Sequence, residues 1–452
     1  MSDGEKDRML DELYGRVGEV APQPRLSATR MALELMGDPH RAFPIVHITG
    51  TNGKTSTSRI VESVLRAHGL RTGLFTSPDL GWLGERIVVD GEPTGEEAMI
   101  AAWDEVQPYL RLADQRLAEQ DEPPLTFFEA LTVLAFSVFA DVPIDVGVIE
   151  VGMGGEWDST NVADGQVAVL TPVDLDHTRR LGSTVAEIAR TKSGIIKPGR
   201  SVVSAEQRPE ALEEIERAAA LTESGLSLEG RDFRVLHRAP AVGGQVVDVQ
   251  GRAGRYDRLF LPLLGAHQAQ NLAVALAAVE TFLGDGTRPL VGDVLAEGLE
   301  QVTSPGRLQV AASGPTVVVD AAHNPHGVRA MIAALAESFP FSKLVAVLAV
   351  LDDKDAAGMV RAAADAVDEF VVTTAPSDRA TDPDALAAVV VGVVGPDRVV
   401  VEPDPDRALE VARELAEDAP AGTADDPKQG GVVVFGSITL VARALQTLRA
   451  AE

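Results

Sequence analysis

The stretch PIVHITGTNGKTSTSRIVESVLRAHGL, from Pro44 to Leu70, decides how this chain folds. Its opening, PIVHI, is a short apolar run rich in β-branched residues, the pattern of a strand buried on both faces. From Ser58 onward apolar residues recur at helical spacing, which predicts an amphipathic helix. Between the two lies Gly50-Thr51-Asn52-Gly53-Lys54-Thr55-Ser56. A glycine-bearing turn between strand and helix is the context that phosphate binding requires. Glycines let backbone amides turn onto phosphate oxygens, the helix N-terminus adds partial positive charge, and Lys54 can reach the terminal phosphates. Thr55 or Ser56 can offer a hydroxyl to magnesium. The general Walker spacing fails because Ile48 stands where its first glycine belongs, so the variant GTNGKT carries the signal. The bland alternative is a turn whose lysine is incidental. With seven lysines against 33 arginines in the whole chain, that alternative is the weaker one.

Outward from this stretch, residues 43–300 alternate short strand-like runs with longer amphipathic ones. PIVHITG, VGVIEVG and QVAVLTP read as strands of a parallel sheet, and TSRIVESVLRAHGL and FFEALTVLAFSVFA as its helices. RIVVDGEPT, with Asp90-Gly91 at its centre, predicts a hairpin. Residues 232–263 read as a small antiparallel patch in the same region. A second alternation starts near Thr316, where TVVVDAA, KLVAVLAVL, EFVVTTA, RVVVEPD and GVVVFGSI are strand-like and RAMIAALAESF and DRALEVARELAED helical. The expected fold class is therefore α/β. A nucleotide-binding domain with a mostly parallel sheet spans 1–302, and a smaller Rossmann-like α/β domain spans 303–452. TSPGR breaks the periodicity between them, and Ala421–Gly431 reads as a loop.

Composition narrows the partners. A net charge of −28, from 68 acidic and 40 basic residues, disfavours nucleic acid and an anionic membrane surface. The absence of cysteine excludes disulfides, thiolate metal sites and cysteine nucleophiles. The charged N-terminus is no secretory signal, and no apolar run is long enough to span a bilayer, so a cytoplasmic location is expected.

GTNGKT before a helix resembles the Mur ligase superfamily, and the motifs downstream of it are similar to the folylpolyglutamate synthase/dihydrofolate synthase branch. In chain order these are TSPDL (76–80), GERI (84–87), TFFEALT (126–132), EVGMGGEWDSTN (150–161), DLDHTRRLG (174–182), IARTKSGIIKPG (188–199) and GAHQAQN (265–271). SPGRLQ (304–309), DAAHNPHG (320–327) and LDDKD (351–355) complete the set, which covers almost the whole chain. The resemblance implies ATP-dependent ligation of L-glutamate to the carboxylate of a folate or dihydropteroate. A carboxylate must be activated before an amine can displace its oxygen, and ATP does this by forming an acyl phosphate.

Magnesium neutralises the phosphate oxygens and takes few protein ligands, mostly oxygen. Glu150, ending the strand VGVIE, suits that role, although an ordinary strand-end carboxylate would look the same. The resemblance makes Ser77 and Glu150 ligands to one magnesium and His177 to a second, where a turn histidine is the plain alternative. It makes Lys192 a carbamylated ligand, where a solvated helix lysine is the alternative. It admits a monovalent cation and leads us to expect a monomer. It places Asn271, Arg307, Asp320 and His323 on the nucleotide beside Gly50–Ser56, with Arg307 stabilising the transferring phosphoryl group as the domains close. Lys354 and Asp355 match a glutamate-side position or a surface turn. On the acceptor side it places Arg25, Leu26, Arg86, Thr126, Phe127, Phe128, Glu129, Glu156, Trp157 and Asp158. Phe127 and Phe128 could stack on an aromatic ring or belong to the core.

Two departures bear on the acceptor. Asp79 stands where this family usually has His, and Glu156 where it usually has Arg. Extra acids beside a carboxylate-bearing acceptor oppose its binding. A ligase of the same superfamily with another acid acceptor therefore stays open. A cell-wall Mur enzyme is disfavoured, because too few residues precede the first strand for its usual N-terminal domain. A nucleotide-binding regulator that has lost catalysis is the third reading, against which Lys54, Glu150, His177 and Lys192 all speak.

Overall fold

The computed structural model describes residues 3–18, 23–419 and 429–450. Most of the loop expected at 421–431 lies outside the described residues. The chain divides into two compact units, one made of 1–237, 248–259 and 270–302, the other of 238–247, 260–269 and 303–452.

The first unit is built on eight strands: β1 (Ile45–Thr49), β2 (Thr72–Phe75), β3 (Ile87–Val89), β4 (Glu92–Pro93), β5 (Val146–Glu150), β6 (Val167–Leu170), β7 (Ser201–Ser204) and β8 (Gly225–Leu228). Their order in the sheet is β4-β3-β2-β5-β1-β6-β7-β8. Helices α1 (Asp3–Tyr14), α2 (Ser27–Leu35), α3 (Lys54–Ala67), α4 (Glu96–Ala118), α5 (Phe127–Asp141), α6 (Thr178–Leu181), α7 (Val185–Ser193) and α8 (Pro209–Leu221) accompany it. All five residues of β1 are buried, as are all five of β5, which is why both read as continuous apolar runs. β1 is parallel to β5 and β6, with Ile48 opposite Glu150 and Thr49 opposite Leu170. The carboxyl ends of three central strands therefore lie side by side, the place where ligands bind in open α/β sheets. The expected hairpin is present: β3 and β4 pair antiparallel, and Asp90 (φ 50°) and Gly91 (φ 82°) form the turn. Leu13, Leu33, Trp103, Phe136 and Phe139, from α1, α2, α4 and α5, share one buried cluster. Ala168, Leu170, Ile195 and Ile215 form another.

Strands β9 (Arg234–Ala241), β10 (Gly244–Gln250) and β11 (Arg255–Leu261) form the expected antiparallel patch. Helices α9 (Ala266–Gly284) and α10 (Gly292–Glu300) come next in the chain. Glu280 of α9 is fully buried, and its carboxylate accepts from the amides of Arg252 (2.6 Å), Ala253 (3.2 Å) and Gly254 (3.0 Å) and from the Tyr256 hydroxyl (2.6 Å).

The second unit holds β12 (Gln309–Ala312), β13 (Thr316–Val319), α11 (Pro325–Ser338), β14 (Phe341–Leu348), α12 (Ala356–Ala363) and β15 (Glu369–Val372). α13 (Pro383–Val394), β16 (Val399–Val401), α14 (Pro405–Glu417), β17 (Gln429–Phe435) and α15 (Ile438–Ala450) complete it. Its sheet order is β12-β13-β17-β14-β15-β16. The five expected strands are parallel to one another, and the last, β17, inserts between β13 and β14. The sixth strand, β12, is an antiparallel edge that the sequence did not announce, because Gln309–Ala312 alternates weakly and stays partly exposed. Among the described residues no helix is long and apolar enough to cross a membrane.

Replacing Glu280 by Leu leaves three half-buried amides and the buried Tyr256 hydroxyl without their acceptor and should cost at least about 3 kcal/mol of stability. Urea unfolding measures this, and a loss under about 1 kcal/mol would show that the amides find other partners.

Candidate active site

The phosphate loop is shaped by what lies behind it. Gly50 leaves β1 at φ 151°, and a Cβ there would sit 1.9 Å from Thr171 Oγ1. Gly53 adopts φ 87°, and its Cβ would sit 2.5 Å from Asn271 Oδ1. Both positions therefore demand glycine, and Asn271 lies against the loop. Gly53 begins α3 without a side-chain cap, which leaves the first-turn amides unclaimed by a capping side chain. The amides of Thr51 and Asn52 donate to the Pro172 carbonyl (2.9 and 3.4 Å). Thr51 Oγ1 donates to the Asp174 carbonyl at 2.9 Å and accepts from the Asp174 amide at 3.0 Å. Gln207 holds that segment in turn, accepting from Val173 N (2.9 Å) and donating to the Thr171 carbonyl (3.1 Å). Sequence reasoning missed Thr171, Pro172 and Gln207, since nothing in their spacing marks them.

The charged groups converge on this loop. Lys54 Nζ lies 3.2 Å from the Gly50 carbonyl, and Lys192 Nζ donates to the same carbonyl at 2.7 Å. Lys192 is 4% exposed, so it is not a solvated helix lysine. Burial first, and then the positive charge of Lys54, pull its pKa down to about 7, with Asp176 and Asp158 opposing the shift. Glu150 is buried at the end of β5, where Oε1 accepts from Thr55 Oγ1 at 2.9 Å and Oε2 from the Ser77 amide at 3.4 Å. His177 adopts the left-handed conformation (φ 49°, ψ 37°) uncommon for a non-glycine residue. Its amide donates to Asp176 Oδ1 at 2.8 Å.

Among the described residues no three His, Asp or Glu side chains gather into a metal cluster. One buried carboxylate with a threonine hydroxyl on it is nevertheless a donor set suited to magnesium, which keeps several waters.

The residues expected on the acceptor side divide into scaffold and surface. Arg25 places Nε and Nη2 on the Glu129 carboxylate (3.1 and 3.2 Å) and Nη1 on Glu122 (3.2 Å) and the Pro123 carbonyl (2.9 Å). Thr126 and Glu129 form the capping box of α5, with Glu129 N donating to Thr126 Oγ1 at 3.3 Å and Thr126 N to Glu129 Oε2 at 2.7 Å. Leu26 packs at the rim of the core. Phe127 is buried, stacked on Tyr14 with ring centroids 5.1 Å apart, which makes it a core residue. Asp158 is buried and organises its own loop, accepting from Met153 N (2.8 Å) and Thr160 Oγ1 (2.6 Å), and burial raises its pKa. Phe128, partly buried against Phe75, and Trp157, 41% exposed, are the aromatic surfaces that remain. Glu156 is exposed. Asp79 does not stand alone as an added acid, because it pairs with the buried Arg86.

In the second unit the Asp320 carboxylate ties two motifs together, accepting from Leu308 N (2.7 Å) and Ala322 N (2.8 Å). Burial raises its pKa, and Arg307 and His323 oppose the shift. His323 Nδ1 lies 2.9 Å from the Ala321 carbonyl, which assigns the proton to that nitrogen. His267 belongs to the same unit, with its pKa lowered to about 4 by burial and then by Arg307, His326 and Arg238. It lies inside the GAHQAQN motif, where nothing in the spacing marks it. Asp355 caps α12 by accepting from Gly358 N at 2.8 Å.

Two family models match the chain: the Mur ligase middle domain over residues 48–279 and the Mur ligase glutamate ligase domain over 306–437. Fold and loop are thus those of a Mur ligase. The chain is 42% identical to the dihydrofolate synthase/folylpolyglutamate synthase of Mycobacterium tuberculosis over 98% of its own length and 93% of that protein's. It is 32% identical to the Bacillus subtilis protein of the same name, over 77% of this chain and 80% of the relative. Among solved structures, Mycobacterium tuberculosis folylpolyglutamate synthase complexed with ADP superposes with a TM-score of 0.93 at 41% identity, covering 98% of each chain. An FPGS–AMPPCP–folate complex superposes at 0.80 and 30% identity, covering 98% of this chain and 99% of that one. The chain belongs to the dihydrofolate synthase/folylpolyglutamate synthase family.

Lys192 gives a pH signature with a definite sign. Its folded pKa, about 7, lies below the ordinary lysine value of 10.5, so between these pH values the unfolded chain holds the proton that the folded one has lost. Stability therefore rises with pH through that window. In metal-free, CO2-free buffer, wild type should gain stability relative to Lys192→Met as pH increases from 7 to 9 in urea titrations. Parallel curves for the two proteins would mean that Lys192 is not buried as a poor proton acceptor.

Proposed function

We propose that this chain ligates L-glutamate to the carboxylate of a folate or dihydropteroate at the expense of ATP. The observation that carries the proposal is the convergence of Lys54, Thr55, Glu150 and Lys192 on the loop Gly50–Ser56, in a member of this family. Residues 1–302 are assigned the nucleotide and 303–452 the glutamate side, in a monomeric, cytoplasmic enzyme.

The acceptor carboxylate attacks the γ-phosphorus of ATP, releasing ADP and leaving an acyl phosphate. The amine of glutamate then attacks the acyl carbon, and phosphate departs with the oxygen that belonged to the carboxylate. Lys54 neutralises charge building on the phosphates, and the α3 amides face the same oxygens. Arg307 stabilises the phosphoryl group in transfer. Thr55, Ser77 and Glu150 would hold one magnesium, and His177 with carbamylated Lys192 a second. When bound, the metal neutralises the β and γ oxygens. The depressed pKa of Lys192 supports carbamylation, which needs the uncharged amine as nucleophile toward CO2.

Between a folate and another carboxylate acceptor, the structure's handling of the two unusual acids favours the folate. Asp79 is neutralised by Arg86, and Glu156 is exposed, where solvent screens it.

With MgATP, glutamate and either dihydropteroate or tetrahydrofolate, mass spectrometry should show a product heavier by one glutamyl residue. Lys54→Ala should stay folded and lose about 3 kcal/mol of transition-state stabilisation in kcat/KM. Near-normal kcat/KM in a folded Lys54→Ala protein would refute the loop's role. Glutamylation of some other acid, with none of the folates, would end the folate reading and keep the ligase.

A further inference from the structure

The connection between β2 and β3, residues 76–86, is closed at its neck, where the Thr76 amide donates to the Arg86 carbonyl at 3.0 Å. It is closed again by the Leu80 amide donating to Glu85 Oε2 at 2.8 Å. Within it, Arg86 Nε donates to Asp79 Oδ1, and both side chains are sheltered, 7% and 15% exposed. The Arg86 guanidinium also lies over the Phe127 ring, 5.3 Å from its centroid, and Phe127 stacks on Tyr14 of α1. Arg86, held by Asp79, thus links the loop to the start of α5 and, through Phe127, to α1. The same loop carries Ser77, whose amide reaches Glu150 Oε2 at 3.4 Å, while Glu150 Oε1 holds the Thr55 hydroxyl of the phosphate loop.

A sheltered ion pair adds little net stability, because desolvation offsets the attraction, but it fixes geometry and leaves a costly orphan if one partner is removed. Here the geometry it fixes is that of Ser77 against Glu150. We propose that Asp79 is a positioning residue for the ligase reaction: its pair with Arg86 sets the 76–86 loop, and through it the Ser77–Glu150 contact, and it commits Arg86 to the protein rather than to the acceptor's carboxylate. This rests on the ligase reading given above. It also accounts for an acid at position 79, since a buried guanidinium needs a counter-charge supplied by the protein.

The test compares wild type with Asp79→Asn, Asp79→Glu and the double variant Asp79→Asn/Arg86→Gln, which removes the pair without leaving a buried charge. Asp79→Asn and the double variant should lose ten- to a hundredfold in kcat, to order of magnitude, because displaced reacting groups cost about that much. Half-saturation by Mg2+ should move to higher concentration, and KM for the folate acceptor should change by less than about twofold. Asp79→Glu, which keeps the charge, should retain most of the activity. If Asp79→Asn does not fold, the double variant decides. A rise in acceptor KM in the folded double variant, with or without loss of kcat, would place Arg86 on the acceptor and overturn the proposal. Unchanged kcat and Mg2+ dependence would overturn it equally. Calorimetry of Mg2+-dependent binding of a non-hydrolysable ATP analogue to the same variants judges the pair even if wild type forms no glutamyl product, a result that would end the folate reading instead. Equal Mg2+ dependence in wild type and the double variant would then sink the positioning role.

Discussion

The Lys192 ammonium, buried and donating to the Gly50 carbonyl at 2.7 Å, is the contact around which the nucleotide side is arranged. An ammonium taken out of water and placed near Lys54 is held at a cost, and its pKa near 7 records that cost. The loop tolerates it because the remaining support is independent of charge. Thr51 and Asn52 hang on the Pro172 carbonyl, Thr51 brackets Asp174, and Gln207 fixes the segment from behind. These contacts fix the loop's backbone through the protein's own groups, which is the preorganisation that charge stabilisation in phosphoryl transfer needs. Converting Lys192 to a carbamate would turn repulsion between two cations into attraction between a cation and an anion.

Much of the fold was legible because its central strands are buried on both faces. β1, β5 and β6 read as continuous apolar runs, and the strand–glycine–helix order around Gly50 left one consistent geometry. β12 was not legible, since a short, half-exposed edge strand has neither burial nor alternation to mark it. The interleaving of the two units, with 238–247 and 260–269 joining the second, was equally hidden, because contacts between distant segments leave no periodic trace.

For the site, the sequence showed which residues are present but not what each one touches. TFFE looked like a binding segment, yet Thr126 and Glu129 cap α5 and Glu129 holds Arg25, so the motif's polar residues bind one another. The spacing T-x-x-E already contains that signature. Asp79 and Glu156 looked alike as unwelcome acids, but one is sheltered against Arg86 and the other faces solvent. Charge can be counted along a chain, whereas the partner that cancels it is fixed only in three dimensions. Glu150 and Lys192, each with an ordinary alternative when read singly, are both buried and both attached to the phosphate loop: Glu150 to its Thr55, Lys192 to its Gly50.

In the proposed reaction ATP activates the acceptor by phosphorylating its carboxylate. This step is tested most directly with a folate acceptor whose carboxylate oxygens carry oxygen-18, incubated with MgATP and glutamate. Mass analysis of the released phosphate should find one labelled oxygen for each amide formed, because the acyl phosphate hands that oxygen to phosphate when the amine displaces it. Unlabelled phosphate alongside full amide yield would contradict the account, since the carboxylate oxygen would then have left by a route that never joined it to phosphorus.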